Sequence, residues 1–177
     1  MNDIFVAFDT ETTDFPWKGG RLIELAGVKF RLSSGLVIGN FQTFVDPGPD
    51  ALMNPDAFEV HGIPLEDARQ GAPFKDAFLQ FHSFANGAPL VAHNASFETQ
   101  VLKREFELAD MPSPGGTIFC TMLMAKKHWS ERSGKGAHTL GNLSELIGVD
   151  SSGWHRALAD SMMCKELFLH MKREAVA

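Results

Sequence analysis

Ile4-Phe5-Val6-Ala7-Phe8 runs without a break into Asp9-Thr10-Glu11-Thr12-Thr13. A short apolar run closed by a polar cluster is the pattern of a buried strand and the segment that follows it. Along a strand, residues i and i+2 share a side, so the carboxylates of Asp9 and Glu11 point the same way. Two negative groups that close repel each other, and one pKa rises unless a cation lies between them. The competing reading is a solvated strand end, where acidic residues are common.

Outward from this strand, Arg21–Arg31 and Leu36–Val45 read as two more, with Ser33-Ser34-Gly35 as their turn. Asp46-Pro47-Gly48-Pro49 then breaks the pattern and starts a loop. Within Pro73–Asn86, residues Phe74, Ala77, Phe78, Phe81 and Ala85 fall at helical spacing and give an amphipathic helix with an aromatic face. Pro89–Ala92 reads as a short buried strand, Ala95–Phe106 as a helix, and Thr117–Cys120 as a last strand leading into helix Thr121–His128. Trp129–Ala137 is a polar, glycine-containing loop, and Thr139–Ile147 and Arg156–Lys172 are the closing helices. A meander of three strands followed by alternating helices and short strands predicts an α/β fold, a mixed five-stranded sheet flanked by helices. Without repeats, low-complexity tracts or linkers, a single domain over residues 1–177 is expected.

The bulk composition sets outer bounds. A chain of 177 residues, 44% apolar and 21% charged, is long enough to bury one sizeable core. No stretch approaches the roughly 20 apolar residues that span a bilayer, and the N-terminus lacks the basic-then-apolar pattern of a signal peptide. Cys120 and Cys164 lie far apart without metal-type spacing, so reduced core thiols and a cytoplasmic location are expected. The net charge of −6 runs against the basic footprint usual in nucleic-acid binders. Two bound divalent cations would add +4 and take −6 to −2, reversing the local sign at their site. Such a chain would grip only a short stretch of strand.

The C-terminal helix carries the next signal. Ala157, Asp160, Ser161, Cys164, Leu167, Phe168 and Met171 form one stripe at helical spacing, the core face. Asp160 therefore faces the sheet near the helix N-terminus, and that face offers no Lys or Arg to offset its charge. A capping role in the first turn is the alternative. Glu98 lies between the directions of Phe97, Val101, Leu102 and Phe106, and so also points inward. Carboxylates brought together from separate segments are explained by a shared divalent-metal site, since hard cations prefer oxygen donors. His155, preceded by Gly153-Trp154 and five residues before Asp160, belongs to the loop ahead of the helix. From there it can swing over the metals, and its ordinary pKa suits a general base.

Taken together, Asp9-Thr10-Glu11-Thr12-Thr13, His93-Asn94-Ala95-Ser96-Phe97-Glu98 and His155-Arg156-Ala157-Leu158-Ala159-Asp160 resemble the three exonuclease motifs of the DnaQ-like DEDDh superfamily. Arg21–Val28, His61-Gly62-Ile63 and Thr139-Leu140 through Gly148 match in the same order, so the resemblance covers nearly the whole chain. It implies a ribonuclease H-like fold and 3′→5′ exonuclease activity. It also implies Asp9, Glu11 and Asp160 as metal ligands, Glu98 as the fourth, and His155 as the base. Thr10, Thr12, Phe15, His61 and Asn94 would border the terminal nucleotide, with Phe15 and His61 stacking on or wedging between bases. A sister group that uses Tyr for the His is closed to this chain, which has no Tyr.

Two residues depart from the pattern. Position 98 is Glu where the family has Asp, which adds a methylene and favours Mn²⁺ over the geometrically strict Mg²⁺. Asp14 stands where a Gly often follows the first motif. The expected chemistry is two-metal hydrolysis, with Mg²⁺ or Mn²⁺ ions ~4 Å apart clamping the scissile phosphate of a DNA or RNA 3′ end. The rivals are a non-catalytic nucleic-acid-binding module on the same fold and a phosphodiesterase for small nucleotides. DNA versus RNA stays open, as does whether the chain works alone, as a homodimer or bound to a polymerase. The lack of a partner-binding tail after Lys172 favours a free-standing enzyme.

Overall fold

A computed structural model describes residues 3–151 and 155–174; Gly153 and Trp154 lie outside the described residues. Strand β1 (Ile4–Thr12) runs antiparallel to β2 (Leu22–Arg31), which pairs antiparallel with β3 (Val37–Asp46). Two short helices follow, α1 (Pro55–His61) and α2 (Leu65–Ala68). The chain then makes β4 (Ala72–Pro73), α3 (Phe74–Ala85), β5 (Leu90–Ala92), α4 (Ala95–Leu108), β6 (Ile118–Cys120) and α5 (Thr121–His128). It closes with α6 (Leu140–Leu146) and α7 (Ala157–Glu174).

The sheet order is β4-β3-β2-β1-β5-β6, six strands in place of the five expected. The extra strand is β4, two residues that pair in parallel with Val45 and Asp46. Two residues are too few to leave a hydrophobic period. The helices between Pro47 and Gly71 also lack a long apolar stripe, yet α1 carries local signals. The Asn54 side chain accepts from the Asp56 N–H, Pro55 occupies the first turn, and Gly62 closes the helix at φ 66°.

Strand β1 outruns the expected end at Phe8. Thr10, Glu11 and Thr12 stay in the ladder against Leu25, Glu24 and Leu22 of β2, so pairing overrides the polar composition. Strict alternation along β1 divides the two cores. Val6 and Phe8 face a cluster built with Phe74, Ala77, Phe78 and Phe81 of α3 and Val101, Leu102 and Phe106 of α4. Phe5 and Ala7 face the other cluster, with Leu143 of α6 and Met163, Cys164, Leu167 and Phe168 of α7. Helices thus cover both faces of the sheet. Every residue of the stripe expected on α7 is buried, and Met163, Lys165 and Leu169 are buried beside it, because α5 and α6 enclose the helix further round. Among the described residues, no helix is long and apolar enough to cross a membrane.

Candidate active site

The same alternation carries past Phe8 and sorts the polar residues. Asp9 and Glu11 share the parity of Phe5 and Ala7, so they emerge on the side covered by α7. Asp160, in the first turn of α7, meets them there. One carboxylate oxygen from each of Asp9, Glu11 and Asp160 lies within 4.8 Å of the others. Asp160 is 7% exposed, and its Oδ1 accepts the backbone N–H of His155 at 3.2 Å, so it also caps the turn entering α7.

Three carboxylates in this space disfavour one another's charge. Burial, followed by the charges of Glu98, Glu11 and Asp160, pushes Asp9 well above the usual carboxylate range. Burial, Asp160 and Glu24 raise Glu11 to about 8. Burial raises Asp160 to about 7, opposed by the His155 hydrogen bond. The cation that touches this balance is Arg156, whose charge lowers Glu11, and Arg156 is already committed to Glu24. Uncompensated negative charge on hard oxygen donors is the electrostatic signature of a cation site.

Glu98 points inward, as its helical position requires, and is 3% exposed. It comes from α4, on the side of β1 that carries Phe8 and Thr10, and its Oε2 accepts the Thr10 hydroxyl at 2.7 Å. Its oxygens are not among the three that gather, so the structure brings together three of the four expected carboxylates and sets the fourth beside them. Burial raises Glu98 to about 8, with the Thr10 bond pulling down and the Asp160 charge pushing up.

His155 sits in the turn before α7 at φ 70°, a left-handed conformation uncommon outside glycine. Partial burial lowers its pKa, so the imidazole is neutral near pH 7. The turn is anchored from β2. Glu24, opposite Glu11 in the ladder and fully buried, accepts from Arg156 and from the Ala157 N–H at 3.0 Å. Both Glu24 and Arg156 lie in segments that match the family motifs, but the sequence reading gave neither a role, although Glu24 sits in an otherwise apolar strand.

The residues expected to border a nucleotide divide into two sets. Phe15 and Asn94 are open to solvent; Asn94 heads α4 without capping it through its side chain. Thr10 and Thr12 are buried, Thr10 being held by Glu98. His61 is 6% exposed and accepts the Ile63 N–H on Nδ1, so little of the ring expected to meet a base is open to solvent. An exposed aromatic that the sequence reading missed lies beside Phe15. Trp17 lies parallel to Phe15, ring centroids 4.7 Å apart, and Phe97 meets both edge-on at 6.4 and 6.5 Å. Phe15 and Trp17 are 47% and 62% exposed, and Lys18 Nζ lies 5.3 Å from the Phe15 centroid. Gly20 makes this loop possible, because a Cβ there would fall 1.8 Å from the Asp14 carbonyl oxygen. The signal available in the sequence was an aromatic pair, Phe15-Pro16-Trp17, directly after the acidic motif.

His93, the first residue of the second motif, is structural. Its nitrogens engage the Thr121 hydroxyl and the His138 carbonyl, and burial lowers it to about 4.

The family described as Exonuclease has a model that matches residues 6–168. The DNA polymerase III subunit epsilon of Treponema pallidum is 32% identical over 168 residues, covering 94% of this chain and 75% of that protein. The same subunit of Salmonella typhimurium is 30% identical over 177 residues, covering 94% and 70%. Among solved structures, a full-length 3′-exonuclease superposes with a TM-score of 0.86 at 16% identity, covering 98% of this chain and 83% of that one. Exonuclease X in complex with 5′ overhanging duplex DNA gives 0.75 at 23% identity, covering 98% and 93%. The fold is the ribonuclease H-like one expected from the motifs.

Proposed function

Because the chain belongs to the exonuclease family, we propose that it is a metal-dependent 3′→5′ exonuclease that removes nucleoside monophosphates from single-stranded DNA or RNA. The observation that carries this reading is the gathering of Asp9, Glu11 and Asp160 within 4.8 Å, beside the turn that bears His155. Asp9, Glu11 and Asp160 would hold divalent cations, with Glu98 contributing from α4. The donor set is all carboxylate oxygen, which suits Mg²⁺ or Mn²⁺. When bound, a pair of such ions supplies Lewis-acid charge for the phosphoryl oxygens.

The remaining work falls to this chain's own groups. Burial keeps His155 neutral near pH 7, the protonation state in which an imidazole can take the proton of the attacking water. Arg156 and Glu24 hold the backbone on either side of that task. Phe15 and Trp17 offer stacking faces for the terminal bases, and Asn94 a polar contact at the head of α4. A chain of net charge −6 suits a short single-stranded end rather than long duplex. The relatives named as polymerase III subunits make a polymerase the partner to test, alongside action alone or as a homodimer.

The test uses matched DNA and RNA oligonucleotides labelled at either end, single- and double-stranded, in Mg²⁺ and in Mn²⁺. Stepwise shortening from the 3′ end with mononucleotide release is expected, abolished by EDTA. Binding without cleavage would leave the non-catalytic module as the reading. His155→Ala should reduce turnover by about 10²–10⁴-fold. Undiminished cleavage by that variant would remove His155 from the mechanism.

A further inference from the structure

Far along α7 from Asp160, a second cluster of metal-type side chains closes between two helix ends. His170 and Glu174 stand one turn apart on α7, with His170 ten residues or about 15 Å of helix beyond Asp160. His128, the last residue of α5, meets them. Its Nε2 lies 2.6 Å from Glu174 Oε2, and His170 Nε2 lies 3.2 Å from Glu174 Oε1. The three donor atoms are within 4.8 Å of one another. Trp129 backs the group, its ring 5.9 Å from His170 at 26° and 4.6 Å from His128 at 89°. Both imidazoles are thereby oriented by an aromatic wall.

We propose that His128, His170 and Glu174 form a binding site for a zinc-type divalent transition cation, separate from the carboxylate centre. Two imidazoles and one carboxylate select zinc, nickel or copper ions over magnesium and manganese, which favour all-oxygen sites. Tetrahedral coordination at about 2.0–2.2 Å puts neighbouring donors roughly 3.3–3.5 Å apart. The two imidazoles contact different oxygens of Glu174, so a cation held through one of those oxygens would need the His128 nitrogen to move out by about 0.7 Å from its present contact. The fourth position would be left for water. A cation here ties the end of α5 to the end of the helix whose first turn holds Asp160, so it acts as a staple on the scaffold.

The experiment is calorimetric titration with Zn²⁺ in excess Mg²⁺, using the full chain carrying Asp9→Asn and Asp160→Asn so that the carboxylate centre takes none. One equivalent is expected to bind, and adding His128→Ala or His170→Ala should weaken binding at least about tenfold. Glu174→Gln keeps an acceptor for the imidazoles but is a poor ligand, so it should lose Zn²⁺ without unfolding; circular dichroism checks that. In the Asp9→Asn, Asp160→Asn chain, Zn²⁺ should raise the melting temperature and adding His128→Ala should remove that rise, while His128→Ala in the otherwise wild-type chain should leave Mg²⁺-supported exonuclease activity in place. Zn²⁺ uptake that is absent, or unchanged by all three substitutions, overturns the site. Because the readout is binding, failure here is distinct from failure of the exonuclease reading.

Discussion

Arg156 donates to Glu24 from two nitrogens, Nη2 to Oε1 at 2.7 Å and Nε to Oε2 at 3.3 Å, tying the turn that carries His155 to β2. Glu24 also accepts from Gln42 at 2.9 Å and from the Ala157 N–H. Burial pushes the Glu24 carboxyl up, but these bonds outweigh it and hold the group below its ordinary value. Glu24→Gln keeps the shape and removes the charge. Arg156 is 45% exposed and can rehydrate, so the cost should be near 2 kcal/mol, about that of one charge-assisted hydrogen bond rather than of a stranded buried ion. Turnover should fall by about 10–100-fold, because His155 and Asp160 lose their common anchor. Thermal melting and single-turnover cleavage measure the two effects; an unchanged rate would mean the anchor does not position the site.

The clustered carboxylates predict that the metal-free protein loses stability as pH rises. Glu11 and Glu98 at about 8 and Asp160 at about 7 all lie above their unfolded values. A raised carboxyl pKa contributes stability that is full below the unfolded value and is lost as pH climbs through the folded value. Buried His93, His61 and His155 are shifted downward, and their effect is confined to pH below the ordinary histidine value. The window from pH 6.5 to 8 therefore isolates the carboxylates. Glu98 alone should cost on the order of 1–2 kcal/mol across it. Chemical denaturation in EDTA should show the decline, and saturating Mn²⁺ should abolish it. A flat or rising profile in EDTA would contradict the clustering.

The parity of β1 was the most legible part of the molecule, because one register decides every side chain along a paired strand. It placed Asp9 and Glu11 together, and the α7 stripe brought Asp160 to them. Glu98 shows the limit. Helical spacing tells that a residue points inward but not which side of the sheet its helix covers, and α4 packs against the Phe8 side, where Thr10 takes the carboxylate. The burial of His61 at the end of α1 was hidden for a related reason: a motif position says nothing about burial. Trp17 was invisible to periodicity because it lies in a single 3₁₀ turn, Pro16–Lys18, too short to show a period. Glu24 could have been suspected as a charge inside the apolar run Leu22-Ile23-Glu24-Leu25, but its partner is 132 residues away.

The parallel rings of Phe15 and Trp17 predict a substrate-binding effect. Base–aromatic stacking contributes roughly 1–3 kcal/mol per base. Trp17→Ala should therefore raise KM for a single-stranded oligonucleotide by about tenfold, with kcat little changed. Phe15→Ala should do at least as much, since its loss also leaves Trp17 without its stacked neighbour. Trp17 is well exposed, so the melting temperature of Trp17→Ala should match the wild type. Equal KM values for wild type and both variants would assign the pair to loop packing.

Glu98 offers the sharpest test of metal choice. Its carboxylate reaches the Thr10 hydroxyl at 2.7 Å and stays outside the group formed by Asp9, Glu11 and Asp160. Mg²⁺ demands near-ideal octahedral geometry at short bond lengths, whereas Mn²⁺ tolerates longer and less regular coordination. A longer side chain already engaged by a neighbour is thus expected to support Mn²⁺ better than Mg²⁺. Glu98→Asp shortens the chain by one methylene and releases Thr10. It should raise the ratio of Mg²⁺- to Mn²⁺-supported turnover several-fold over the wild type. Glu98→Gln, which keeps the length and the Thr10 bond but removes the charge, should depress activity with both ions by about 10–100-fold. If Glu98→Asp leaves the ratio where it was while Glu98→Gln is fully active, Glu98 belongs to the packing around Thr10 and has no part in holding a cation.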